Sequence, residues 1–359
     1  MIISRTPFRI SFFGGGTDYP TWYREHGGEV LGTSINKYCY LTCRFLPPFF
    51  EHRYRIVYSM MENRTSVDDI VHSGVRETIK YLGITRGLEI HHDADLPARS
   101  GMGSSSAFVV GLLHALYGLQ GQMRSKQQLA EEAIHIEQEC IGDTVGSQDQ
   151  VLAAFGGLNR VVFASTGAIT VQPVTIAAAR MHELDSHLML FFTGINRIAS
   201  DVAKTFVGRA NSEQQIRTLG AQARDGLRIL GGTSDIDDFG RLMHEAWQAK
   251  RALSPAISSD EIDDLYAKAH EAGAIGGKVI GAGGGGFMLF FVPPDRHAHV
   301  REALHQLIHV PFSFDSTGTQ IIYFDQQEEY GDAERDREGR RVASFREASR
   351  PVAPAPSLG

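Results

Sequence analysis

The stretch DLPARSGMGSSSAFVVGLLHAL, residues 95–116, sets a proline, two glycines and a run of three consecutive serines before an apolar run of helical character. Capping a helix start takes one side-chain oxygen, so three serines exceed that need. The first N–H groups of a helix lack partners within it, and the helix dipole adds positive character there. Ser104, Ser105 and Ser106 therefore mark an anion site, and a phosphate is its natural occupant. Their hydroxyls can also join the oxygen shell of a Mg²⁺ ion. The lysine of G-x-x-x-x-G-K-[ST] is missing, so this is not a P-loop.

A bound phosphate and Mg²⁺ call for carboxylates, one set for the metal and one for an attacking hydroxyl. Glu137 falls in the last turn of a helix, where its charge meets the negative end of the dipole and gains nothing. Glu131, Glu132 and Glu139 share that helix, and a solvated glutamate is the commoner explanation for any of the four. Asp149, in VGSQDQVLAAFGG, is surrounded by small and apolar residues, and a buried aspartate needs a cationic or hydrogen-bonding partner. Asp18, in GGGTDYP, fits ordinary turn chemistry as well as a site. Arg9, inside an apolar strand, is a plausible partner for a buried carboxylate, but spacing alone does not pair these four.

Glycine clusters recur at Gly14–Gly16, at Gly101 and Gly103, and at Gly281 with Gly283–Gly286. GAGGGG (281–286) formally satisfies G-x-G-x-x-G. That fingerprint works only where a helix follows to take the pyrophosphate on its N-terminus, and here the strand-like FMLFFV follows. The loop instead reads as a tight glycine turn shaping one wall of a site.

These residues must be held by defined elements. FRISFF (8–13), VLGTSINKYCYLTCRFL (30–46) and GLEIHHDADLP (87–97) read as strands. Ser125 with Gln128 predicts a capped helix running to about Gly142. Residues 156–174 read as strand, turn and strand, and LMLFFTG (188–194) as a buried strand. Helical patterns fill 195–250, and a further helix starts at Ser259 or Asp260 and closes at Gly273. GFMLFFVPP (286–294) predicts a strand, HVREALHQLI (299–308) a helix and TQIIYFD (319–325) a closing strand. Strands first segregated and then mixed with helices argue an α+β class, with units at 1–175 and 176–325. The charged, proline-rich segment 326–359 lacks the apolar residues needed to order it, which predicts a mobile tail.

Composition narrows the partners. The 359 residues are 42% hydrophobic with a formal net charge of −7, which gives no electrostatic reason for nucleic acid or an anionic membrane. Cys39, Cys43 and Cys140 show no metal-ligand spacing and fit a reduced compartment. No apolar run spans a bilayer and the start lacks a secretory pattern, so a cytoplasmic protein is expected. The oligomeric state, monomer or homodimer, is open.

RTPFRISFFGGGTDYP (5–20), LPARSGMGSSSA (96–107) and GKVIGAGGGGF (277–287) together resemble the three successive motifs of the GHMP small-molecule kinases. Within that family, GGGTDYP, SQDQ and WQAKRALS are most similar to the heptose 7-phosphate kinases, with galactokinase and fucokinase more distant. The resemblance implies an α+β, two-domain GHMP kinase fold: an N-terminal ribosomal-protein-like domain with a left-handed β-α-β crossover, and a C-terminal ferredoxin-like domain. It implies ATP and Mg²⁺ as cofactors and a small-molecule sugar phosphate as partner.

By the same resemblance, Pro97, Gly101, Met102, Gly103 and Ser104–Ser106 would hold ATP. Ser105 and Glu137 would take the metal. Asp149, twelve positions after Glu137 as in similar kinases, would be catalytic beside Arg9. Asp18, with Gly15, Gly16 and Thr17, would hold sugar hydroxyls, and Gly283 and Gly284 would line the acceptor site. Galactokinase carries glutamate and histidine where this chain has Gly15 and Gly16, which leaves a roomier pocket here. Arg197, Lys250 and Lys278 are candidate cations for a sugar phosphate. The implied reaction is phosphorylation of the anomeric hydroxyl of a heptose 7-phosphate, toward nucleotide-activated heptose. A neutral-sugar kinase and a catalytically silent sugar-binding relative are the alternatives.

Overall fold

The computed structural model describes residues 1–195, 199–207 and 212–325. The Arg197 candidate and the segment 326–359 lie outside them.

Two sheets organise the chain. The first is built on β1 (Ile2–Phe13) and β2 (Gly28–Phe45), an antiparallel pair running from Ile2 opposite Cys43 to Phe13 opposite Leu31. The 18-residue β2 is long enough to take further partners on its other edge. Its second half pairs with β5 (Leu88–Ala94), and its first half with β6 (Leu158–Phe163). Beyond β5 lie β3 (Tyr54–Val57), parallel to it, and β4 (Met61–Arg64), while β7 (Ile169–Pro173) extends β6.

The second sheet follows the order β11 (Ile308–Val310), β8 (Leu188–Phe192), β10 (Phe287–Phe291), β9 (Gly276–Val279), antiparallel throughout. In chain order its strands sit fourth, first, third, second, with helices after the first and third, which is the βαββαβ arrangement of ferredoxin-like units.

FRISFF does not alternate cleanly because β1 is covered on both faces. The Ser104–Leu119 helix packs on one side of β1 and β2, and the Glu213–Gly231 and Asp237–Arg251 helices meet β1 on the other. Phe8 to Phe13 are consequently all buried, including Arg9 and Ser11. The Ser104–Leu119 helix is apolar nearly all round, as an interior helix should be, with Leu112, Leu113 and Leu116 sealed from solvent.

Three expectations change. TQIIYFD does not close the second unit: β12 (Phe314–Asp315) pairs with β2 and β13 (Gln320–Phe324) with β1, so the chain returns to the first sheet. The 176–325 segment therefore serves both sheets, because the open edge of β1 needs a hydrogen-bonding partner that no local pattern announces. The helix expected over 299–308 runs His297–Ala303, and Ile308 instead begins the edge strand β11. The helix from Ser125 keeps its capping box but ends its regular turns at His135 and continues as a π-turn over Ile136–Cys140.

Candidate active site

A cleft of about 380 Å³ gathers residues from the first glycine turn, the serine helix, the π-turn, the Gln148–Phe155 helix and the second sheet. Arg9, Gly15, Gly16, Asp18, Gly101 and Gly103 line it, as do Ser104–Ser106, Glu137, Asp149, Lys250 and Lys278.

The serine helix opens on Gly103, which is left-handed at φ 74° and provides no side-chain cap. Its first turn thus presents main-chain N–H groups without a protein side chain on them. Glycine is required at 103 for space as well as conformation. A Cβ there would lie 3.2 Å from Arg9 Cγ and 3.3 Å from Asp149 Oδ2.

Asp149 stands in the first turn of the Gln148–Phe155 helix, where a negative charge is favoured by the dipole. Arg9 grips it through both ends of its fork, Nε donating to Oδ1 at 2.6 Å and Nη2 to Oδ2 at 2.5 Å. Its remaining arm, Nη1, donates to the Gly101 carbonyl at 2.7 Å, so one guanidinium joins the carboxylate to the phosphate-side loop. Arg9 is buried and Asp149 is 23% exposed toward the cleft.

Glu137 is fully buried. The Ser105 and Ser106 hydroxyls each donate to it at 2.7 Å, and Gln150 Nε2 at 2.5 Å. The π-turn aims its side chain inward, consistent with such turns marking functional positions. Burial pushes its carboxyl up to about 7, against the opposing pull of these three donors. All three are neutral, so the carboxylate has no counter-ion among the described residues.

Asp18 is also buried, accepting from Gly16 N at 2.9 Å and Gln148 N at 3.4 Å. Burial, with the Asp149 charge adding to it, raises it to about 6. Lys250 donates to the carbonyls of Gly281 and Val279, and burial lowers it to about 8. Lys278 donates to the Ser11 and Phe12 carbonyls at 3.0 and 2.8 Å, and burial with the nearby Lys250 and Arg9 charges holds it well below the usual lysine range. Neither lysine forms an ion pair with a carboxylate among the described residues. Two desolvated cations of that kind, Lys278 buried and Lys250 half-buried, favour an anionic ligand.

The third glycine loop connects β9 to β10 and interlocks with the phosphate-side loop. A Cβ on Gly101 would sit 2.5 Å from the Ile280 carbonyl, and one on Gly281 would sit 2.5 Å from the Gly101 carbonyl. Gly281 and Ala282 line the cleft, whereas Gly283 and Gly284 do not. Gly283 packs on Ile257, and Gly284 N donates to the Ile257 carbonyl.

Other motif residues are also structural. Thr17 Oγ1 donates to the Gly14 and Glu29 carbonyls and accepts from Glu29 N, and Met102 is core. Pro97 lies outside the cleft and accepts from the Ser100 hydroxyl. Sequence reasoning missed Ser11, Gln148 and Arg99, all of which line the cleft. Arg99 did carry a local signal, sitting inside the phosphate motif, and it is the non-glycine residue with positive φ among those described, at 59°.

Residues 69–157 match the GHMP kinases N terminal domain and residues 225–309 the GHMP kinases C terminal family. The chain belongs to the GHMP kinases, phosphotransferases with an alcohol group as acceptor.

It is 29% identical over 316 residues to the D-glycero-alpha-D-manno-heptose 7-phosphate kinase of Campylobacter jejuni, covering 85% of this chain and 93% of that one. To the galactokinase of Pyrococcus furiosus it is 25% identical, covering 84% and 92%. The crystal structure of a D-glycero-D-manno-heptose 1-phosphate kinase from Bacteroides thetaiotaomicron shares the fold, with a TM-score of 0.75 at 24% identity over 91% of this chain and all of that one. Among the described residues no helix is long and apolar enough to cross a membrane.

Proposed function

We propose that this chain transfers the γ-phosphoryl group of ATP to the anomeric hydroxyl of D-glycero-D-manno-heptose 7-phosphate, giving the 1,7-bisphosphate and ADP. One observation carries the reading: the Arg9-clamped Asp149 faces the Gly103 turn that opens the uncapped serine helix. Acceptor activation and phosphate binding are thereby brought to one point. The similarity to the Campylobacter jejuni enzyme supports the choice of sugar.

In this reading the N–H groups at Ser104–Ser106 and the Gly101–Gly103 turn hold the ATP phosphates. Asp149 orients the anomeric hydroxyl and accepts its proton as the oxygen bonds to the γ-phosphorus and the bond to ADP breaks. Arg9 holds the carboxylate in place. Phosphoryl transfer asks mainly for such positioning and for charge compensation.

The residues present suit Mg²⁺. Glu137 is a buried carboxylate without a counter-ion, and Ser105 and Ser106 add hard oxygens beside it. Mg²⁺ takes one or two carboxylates together with substrate phosphates, so one glutamate suffices. When bound, the ion would compensate phosphate charge. Asp18 would take sugar hydroxyls, and among the cations that line the cleft Lys250 and Lys278 would take the sugar phosphate. A cytoplasmic location, where ATP is supplied, fits this reading.

Purified protein offered Mg-ATP and a panel of sugars with and without a terminal phosphate tests the assignment. Turnover of heptose 7-phosphate with formation of ADP is expected. Turnover of neutral sugars alone, fucose among them, overturns it.

A further inference from the structure

Two side chains that line the cleft each carry a buried polar atom without a hydrogen-bond partner among the described residues, and neither belongs to the machinery assigned above. Ser11 and Gln148 are 6% and 9% exposed, and both line the cleft. Ser11 Oγ and Gln148 Oε1 are buried without a hydrogen bond among the described residues. A buried polar atom left unpaired costs about 1–3 kcal/mol, so native structures rarely keep two together without a ligand or water to satisfy them.

Gly15 joins them. A Cβ built on it would lie 3.6 Å from Gln148 Nε2 and 3.7 Å from Ser11 Oγ, so the three form one patch of cleft floor. Gly15 is not among the glycines with positive φ, and its Cβ meets nothing closer than ordinary contact. Backbone strain therefore does not demand glycine here, and its effect is to leave the space above the two side chains open. The patch is adjacent to the reacting group: Gln148 precedes Asp149, and its backbone N–H donates to Asp18.

The chemistry of the pair identifies its occupant. A carboxamide offers a donor at one end and an acceptor at the other, and a serine hydroxyl does both. Phosphate oxygens accept only, and would leave Gln148 Oε1 unpaired. Sugar hydroxyls satisfy every atom in the patch.

We propose that Gln148 and Ser11 form a hydroxyl-reading subsite for the acceptor sugar, with Gly15 setting its depth. This rests on the kinase reading above, and assigns the neutral part of the acceptor to the floor of the cleft while its phosphate is held elsewhere.

The test compares Gln148→Leu, Gln148→Glu, Gly15→Ala and Gly15→Val with the unmodified enzyme. KM is measured separately for sugar and ATP, and heptose 7-phosphate affinity by calorimetry. Gln148→Leu is expected to weaken sugar binding about tenfold. Gly15→Val should weaken it further, Gly15→Ala less, and ATP KM should stay within about twofold. Gln148→Glu keeps an acceptor and should recover part of the loss.

Unchanged sugar affinity in Gln148→Leu and Gly15→Val overturns the subsite, as does an equal loss for sugar and ATP. The two readings fail separately. If the unmodified enzyme turns over only neutral sugars, the heptose phosphate assignment falls, and the same variants are then measured with the sugar it accepts.

Discussion

Arg9 and Asp149, 140 positions apart in sequence, meet through two parallel hydrogen bonds of 2.6 and 2.5 Å, and the third arm of the same guanidinium holds the Gly101 carbonyl. Three points of the site are thus fixed by one planar group. Lysine carries the charge without the fork. Arg9→Lys is expected to lower kcat roughly 10-fold to 100-fold, and Asp149→Asn by roughly 10²-fold to 10⁴-fold, the range for a positioned acid or base. Coupled ADP-release kinetics check this, and nucleotide affinity in Asp149→Asn should change little.

Glu137 gives a pH signature. Its folded-state value, about 7, lies above the ordinary 4.5 because burial disfavours the charge. Between those two pH values the unfolded chain has released the proton and the folded chain still holds it. Stability without Mg²⁺ should therefore fall as pH rises through this window, by ~3 kcal/mol in order of magnitude. Glu137→Gln should flatten that slope in urea unfolding at pH 5 and 8 while impairing turnover. A slope as steep in the variant as in the unmodified chain would assign it to other groups.

Lys250 is half-buried, and its ammonium donates to main-chain acceptors only among the described residues. Lys250→Met removes the charge while keeping most of the volume. Thermal stability should stay the same or rise, since a desolvated unpaired charge is costly. KM should rise roughly 10-fold to 100-fold for a phosphorylated sugar and much less for the same sugar without its phosphate. Equal effects on both sugars would remove Lys250 from phosphate recognition.

Gly103→Ala forces a side chain into the left-handed region and against the Arg9–Asp149 pair. A stability loss of about 1–2 kcal/mol is expected from the backbone alone. ATP KM and kcat should both deteriorate beyond what the lost stability explains, as measured on protein confirmed to be folded by circular dichroism.

How much of this could be read beforehand varied with how local the signal was. Ser104–Ser106, Glu137 and Asp149 sit in contiguous patterns whose chemistry is visible residue by residue. Pairing Arg9 with Asp149 required family resemblance, because nothing local links a strand residue to a helix 140 positions later. Lys278 read equally as a candidate cation and as a solvated charge, and only the packing of β9 near the end of β1 buries it against Ser11 and Phe12. Ser11 and Gln148 were invisible for the same reason. Thr17 and Met102 show the reverse: both lie in motifs, yet the side chain of one braces main chain and that of the other fills the core. The return of β12 and β13 to the first sheet is likewise a long-range pairing without a local mark.

The meeting of Gly101 with Gly281 is main chain against main chain, and a Cβ on Gly286 would lie 2.1 Å from the Ser100 carbonyl. Neither contact leaves slack for a side chain to absorb movement. A fragment carrying only the serine helix would lack the wall against which its nucleotide turn is moulded. Split into two separately produced pieces, the protein should stay silent until they reassociate, and recovered turnover would then report how faithfully the two glycine turns have met.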